Sequence, residues 1–206
     1  GGLRPMFKKP KDVAVKGEKK LGGKDLKKLK EDLGRELKGL SAEDLAALLP
    51  AKADVATWRP AGGAVATFVH VDGKPVLVQR DPKGGRDFLP TLLALWQCPQ
   101  ALPTVWVHLP VARFVLRGAD VMLPGVEALP EGVAEGAYVA VRARGNPHAL
   151  AVGTLLLTAA KVAAGGMAQG RAVELLHHFG DALWEDPSFG AVRPEGFEGE
   201  EVRRLE

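Results

Sequence analysis

A chain of 206 residues, 46% hydrophobic and 26% charged, can bury the core of one domain or two small ones. Its longest apolar runs, such as 149–160, are broken by Gly153 and Thr154 and are too short to span a bilayer; the lysine-rich start lacks an apolar block, so no secretory signal is expected. One cysteine, Cys98, excludes an internal disulfide framework and a thiolate zinc cluster, and it reads as a small buried hydrophobe in a reducing, cytosolic compartment.

The net charge of +3 hides an asymmetry. Residues 1–38 hold 13 Lys/Arg against 6 Asp/Glu, and residues 174–206 hold 3 against 9. A basic end and an acidic end imply an anionic partner near the first and solvent near the second. A wet helix face accounts for a lysine run equally well.

Residues 1–5 read as an artificial or disordered lead before "MFKKP". Leu26, Leu29, Leu33, Leu37 and Leu40 recur at three- and four-residue spacing, which predicts a helix over 24–38 with lysines on its other face. Ser41 followed by Glu43 and Asp44 starts a second helix, whose Leu45, Leu48 and Leu49 face inward until Pro50. The pattern then turns to period two. "DVATWR" and "AVATFVHV" read as strands, and "VDGKPVLVQR" adds a hairpin turn at Asp72-Gly73 and a further strand. "RDPKGGRD" is a polar loop, and "LPTLLALWQCP" a short amphipathic helix between Pro90 and Pro99. The first unit, 6–103, is an expected α+β domain with its helices at one end.

A second unit is expected from Thr104. "TVWVH" is a strand, "LPVARFVLR" a short helix stopped by Gly118, and "ADVML" a strand ended by Pro124-Gly125. "AYVAVRAR" and "ALAVGTLLL" flank a hairpin at "GNPH"; Thr158 caps a brief helix ending at Gly165-Gly166, and "RAVELLHHF" is the last strand. Five or six short strands with scraps of helix predict a small closed or half-closed β-barrel. Beyond Trp184 the chain is rich in Pro, Gly and Glu, and a loose tail is expected.

No catalytic constellation emerges. His177 and His178 are adjacent on a predicted strand, so they point to opposite faces and cannot chelate one metal; a structural role is favoured for both. His70 and His108 lack a companion carboxylate or thiol nearby in sequence, and no nucleophile elbow, Walker or dinucleotide glycine pattern is present. No metal or cofactor is expected.

A binding site is easier to argue at "RGADVMLPGV". Gly118 permits a backbone conformation closed to other residues, and Ala119 keeps the surface flat, so a nucleic-acid or protein backbone could approach. Arg113 and Arg117, four apart, would share one helix face and could pair with phosphates. Asp120 fits a carboxylate that binds nearby backbone amides and holds the turn. The plain alternative is that Gly118 only ends a helix and Arg117 is a solvated cap.

"FVLRGADVMLPGV", with "HALAVGTLLL" and "DALW" after it, resembles the signature of PUA domains, an RNA-binding module. Together with "MFKKP" and "FLPTLLALWQCPQALPTVWVHLP" it resembles the ligatin family of alternative eukaryotic translation initiation factors, of the initiation factor 2D type, and its shorter relative, the malignant T-cell-amplified protein. The resemblance covers roughly 6–185. It implies an N-terminal α+β pre-PUA domain (6–103), a PUA-type small β-barrel (104–186) and an acidic tail (187–206). It implies no enzyme, but a cytoplasmic module that holds the acceptor end of tRNA at Arg113, Arg117, Gly118, Ala119, Asp120, Leu123, Pro124 and Gly125. It also implies binding to the small ribosomal subunit, with GTP-independent tRNA delivery or release in initiation, reinitiation and recycling. Lys24, Lys27, Lys28 and Lys30 would face ribosomal RNA. Ligatin-type proteins continue into winged-helix, SWIB-like and SUI1-like domains. None of these occurs in this sequence, so the chain is either an N-terminal fragment or a short relative acting with an SUI1-domain partner. The accessory half of an RNA-modifying enzyme is a further alternative.

Overall fold

The computed structural model describes residues 7, 14–60, 66–80, 87–166 and 168–184. The expected lead at 1–5, most of the polar loop and the acidic tail lie outside them. Contacts divide the chain into two units, one built on 7–101 together with 182–184, the other on 102–181.

In the first unit the leucine stripe forms helix α1, Gly23–Glu36. Leu29 and Leu33 are buried, followed by Leu37 just past its end, and Leu26 and Leu40 are half-buried. Each fully buried leucine contributes roughly 1.5–3 kcal/mol, so the stripe fixes the helix where lysine-rich propensity alone would not. The helix stops slightly before the expected Lys38, where the Leu37 amide closes on the Leu33 carbonyl. Ser41 then caps α2, Ala42–Leu48, in a reciprocal box: Ser41 Oγ accepts from the Asp44 amide at 3.0 Å, and Asp44 Oδ2 accepts from the Ser41 amide at 2.8 Å.

Five strands follow one another as an antiparallel meander: β1 Val15–Lys20, β2 Val55–Pro60, β3 Thr67–Val71, β4 Lys74–Gln79 and β5 Phe88–Pro90. The β3–β4 hairpin turns at Asp72 and Gly73, where φ is 50° and 78°; two successive positive angles are what a two-residue hairpin turn of the right twist requires. Two strands were not expected. β1, "VKGEKK", has no apolar alternation, and it serves as a sheet edge, where charged side chains stay wet and block further pairing. β5 falls just before the short helix expected between Pro90 and Pro99, which forms within those bounds as α3, Leu92–Gln97. Thr91 at its N-cap does not cap; its hydroxyl donates instead to the Pro75 and Val76 carbonyls.

The second unit is a six-stranded sheet: β6 Thr104–Val107, β7 Val121–Met122, β8 Val126–Ala128, β9 Tyr138–Ala143, β10 Ala151–Leu155 and β11 Arg171–His178, ordered β7-β11-β10-β9-β6-β8. All pairs are antiparallel except β6 with β9. The two edge strands, β7 and β8, are joined directly by a single 3-10 turn, Leu123–Gly125, so the sheet is nearly closed into a barrel. Val105, Val107, Val139, Val141, Leu155, Val173 and Leu175 are buried completely and fill it. The expected helix between β6 and β7 is a 3-10 turn, Leu109–Val111, running into α4, Ala112–Val115. The expected strand "ADVML" is shorter: Val121 is core, Met122 is 50% exposed, and Leu123 is half-buried in the turn. Thr158 caps α5, Ala159–Gly165, accepting from the Lys161 amide, and Gly166 closes it in the left-handed region. "DALW" forms no strand; Ala182–Trp184 group with the first unit, where the Ala182 amide meets the Phe7 carbonyl and Trp184 stands edge-on to Trp96 at 5.2 Å. The architecture is α+β.

Candidate nucleic-acid interface

The segment from β6 to β8 is anchored at both ends. The His108 amide donates to the Gly125 carbonyl, and Gly125 lies so close to Val111 that a Cβ would fall 2.9 Å from its Cγ2. Pro124 stands exposed in the turn before it. Between these anchors α4 is only one turn long, too short for Arg113 and Arg117 to ride one helix as expected. Arg113 is within α4, half-buried, with its guanidinium 4.8 Å from the Phe114 ring centre. Its Nε is buried and has no partner among the described residues. Arg117 lies past the helix end and is exposed. Phe114 is 45% exposed and Leu109 41%, so cation and apolar ring are presented together.

The Phe114 carbonyl accepts from the amides of both Arg117 and Ala119, which folds the chain back over the helix end. Gly118 completes that reversal at φ 79°, a conformation that costs other residues roughly 1–2 kcal/mol. A Cβ there would stand 2.8 Å from His178 Nε2. The room expected for an incoming backbone is thus taken, on that side, by an imidazole of β11. The flat exposed surface is that of Ala119.

Asp120 holds more than its own turn. Its Oδ1 accepts from the Leu175 amide at 2.8 Å and its Oδ2 from Arg171 Nη1 at 3.0 Å, both on β11. β7 pairs with β11 over only two residue pairs, with a register shift between them, and the carboxylate adds two more links. Arg171 was missed in the sequence, since a contact spanning 51 residues leaves no local signal.

The adjacent histidines part as expected and meet different partners. His177 is buried with its Nδ1 2.7 Å from Asp181 Oδ2, whereas His178 Nδ1 donates to the Phe179 carbonyl at 2.9 Å. Cys98 is buried beside Asp44, and burial first, then that carboxylate, pushes its thiol up to about 11, away from thiolate chemistry.

In the other unit Lys24, Lys27 and Lys28 are exposed on α1, with Lys30 half-buried. The unexpected β1 adds Lys16, Lys19 and Lys20, all exposed. Lys19 pairs with Asp25 at 3.3 Å and Lys20 with Asp54 at 2.6 Å.

Comparison with known proteins fits both units. A pre-PUA-like domain model matches residues 7–99, and the model described as "eIF2D, PUA domain" matches 102–182. The chain belongs to the ligatin family. Among its ligatin relatives, eukaryotic translation initiation factor 2D of Bos taurus is 32% identical over 180 residues, covering 84% of this chain and 30% of the relative. The chain therefore spans about a third of the length of the curated ligatin proteins it matches. Translation machinery-associated protein 20 of Eremothecium gossypii is 38% identical over 104 residues, 48% of this chain and 56% of that protein. A hypothetical protein of the archaeon Pyrococcus horikoshii OT3 is similar in structure, at 25% identity with a TM-score of 0.64, over 82% of this chain and 98% of its own. No helix among the described residues is long and apolar enough to cross a membrane.

Proposed function

We propose that this chain is the non-catalytic RNA-binding part of a cytoplasmic translation factor. It takes the acceptor end of a tRNA at the glycine loop and binds the small ribosomal subunit, so that tRNA is delivered or released without GTP hydrolysis in initiation, reinitiation and recycling. The observation that carries the reading is the surface from Arg113 to Ala119: Phe114 open to solvent with a guanidinium on its ring, Arg117 exposed, and a flat Ala119 between two anchored ends. Aromatic faces beside cations are what unpaired nucleic-acid bases and their phosphates engage. Gly118, Asp120, Leu123, Pro124 and Gly125 shape that surface more than they project from it. The lysines of α1, joined by those of β1, suit ribosomal RNA, where phosphate contacts position without reading sequence. An SUI1-like domain, in the same protein or a partner, completes the reading.

The test is the affinity for tRNA with and without its terminal CCA, across a salt series. Binding that weakens with salt and with loss of CCA supports the proposal; indifference to both overturns it. Replacing Arg113 and Arg117 by Glu should abolish RNA binding. A surface made for an apolar protein partner, through Leu109, Phe114 and Met122, would largely tolerate the same change.

A further inference from the structure

Arg171 opens β11 opposite Met122 of β7. Its Nη1 donates to Asp120 Oδ2 at 3.0 Å and lies 3.6 Å from Glu174 Oε1. Asp120 is fixed in turn, because its other oxygen accepts from the Leu175 amide. The hydrogen bond to Asp120 also holds the Arg171 guanidinium above its ordinary pKa, so the side chain stays a cation. One corner of the guanidinium is therefore pinned two residues from Gly118. The opposite edge, Nε and Nη2, has no partner among the described residues, and the side chain is 47% exposed.

That open edge presents two parallel N–H donors, which match a planar pair of acceptors: two phosphate oxygens, or O6 and N7 of guanine. Charge decides between them. One cation faces two carboxylates here, Asp120 and Glu174. A phosphate would meet uncompensated negative charge, whereas a base edge carries no net charge and gains both hydrogen bonds. In single-stranded RNA such edges are open to side chains.

We propose that Arg171 reads a guanine of the RNA held at the neighbouring loop, through Nε and Nη2, with Asp120 as the residue that positions it. The inference rests on the loop being an RNA site. The experiment titrates the whole chain with short single-stranded RNAs that share a CCA end. One upstream position at a time carries guanosine, inosine, 7-deazaguanosine or adenosine. Inosine keeps O6 and N7; 7-deazaguanosine loses N7. At the position read, guanosine and inosine should bind about tenfold tighter than the other two. Arg171→Lys keeps the charge but not the fork, and should flatten the preference, bringing guanosine and inosine down to the affinity of the other two. Asp120→Asn should blunt the same preference. If Arg171→Lys keeps the preference, the proposal is overturned. It is equally overturned if Arg171→Gln weakens all four RNAs alike and lowers the salt slope, the mark of a phosphate contact. Wild-type binding with no base preference overturns this inference alone, whereas no RNA binding at all removes the RNA reading beneath it.

Discussion

The imidazole of His178 occupies the place where a side chain on Gly118 would stand, its Nε2 2.8 Å from the position of a Cβ. The ring is not free to turn away, because Nδ1 donates to the Phe179 carbonyl at 2.9 Å. That bond also sets the tautomer: in the neutral ring Nδ1 carries the proton, and Nε2 faces the glycine as an acceptor. The loop between α4 and β7 is thus seated on the last strand of the barrel by a contact that only glycine allows.

Gly118→Ala should therefore cost stability twice, once for the left-handed backbone and once for the clash. A loss of about 2–3 kcal/mol is expected from the two together. Chemical denaturation checks the total. In a His178→Ala background the clash is gone, and the cost should fall to the backbone part, about 1–2 kcal/mol. Equal losses in both backgrounds would mean that the His178 contact carries no weight.

Gly39 is constrained by space instead of by angle. A Cβ there would come within 1.8 Å of the Gln100 carbonyl oxygen, a backbone atom that no rotamer change can move. The loop between α1 and α2 lies directly against the exit of α3, and the same corner holds Gln100 Nε2 at 2.8 Å from both Asp44 oxygens. Gly39→Ala should destabilise the first unit by about 3 kcal/mol or more, since the backbone must shift. Gly23→Ala, where nothing stands within 4 Å, is the control and should be neutral or slightly stabilising. Thermal melting of the two variants separates these outcomes.

The features legible in the sequence are those written in local period. The stripe Leu26–Leu29–Leu33–Leu37, the Ser41 capping box and the Asp72-Gly73 hairpin each occupy a few consecutive residues, and each forms where expected. β1 escaped because an edge strand needs no apolar face; its pairing comes from backbone bonds to β2, which leave no mark on "VKGEKK". The candidate site was half-legible for a similar reason. "RGADVMLPGV" signals a constrained loop, but its constraints come from β11. The register that brings Leu175 to Asp120, Arg171 to the same carboxylate and His178 to Gly118 cannot be read from either segment alone.

Asp181 closes the barrel's last turn. Its Oδ2 meets His177 Nδ1 at 2.7 Å and accepts from the His178 amide at 3.1 Å, and both side chains of the His177–Asp181 pair are buried. Asp181→Ala would remove the acceptor that the buried ring and the His178 amide share, for a loss of about 2–4 kcal/mol. Asp181→Asn keeps one acceptor oxygen for the ring or the amide and should lose less. Amide exchange at His178 reports the local effect: protection should fall in the alanine variant before the global transition is reached.

Cys98 gives the molecule a pH dependence of known sign. Burial, reinforced by Asp44, raises its thiol from an ordinary 9.0 to about 11. Between those values the unfolded chain releases the proton and the folded chain keeps it, so the unfolded state binds fewer protons and stability falls as pH rises. The contribution is fully present below pH 9 and is lost progressively towards pH 11. Cys98→Ala removes the group and should flatten that part of the stability curve, at a modest constant cost for the smaller side chain. The same burial sets its reactivity. At pH 8 a thiol reagent should modify native protein no faster than the chain opens, and denaturant should release the reaction at once. Prompt labelling of the native protein, or an alkaline slope unchanged in Cys98→Ala, would show that the thiol is not held neutral in the core between α2 and α3.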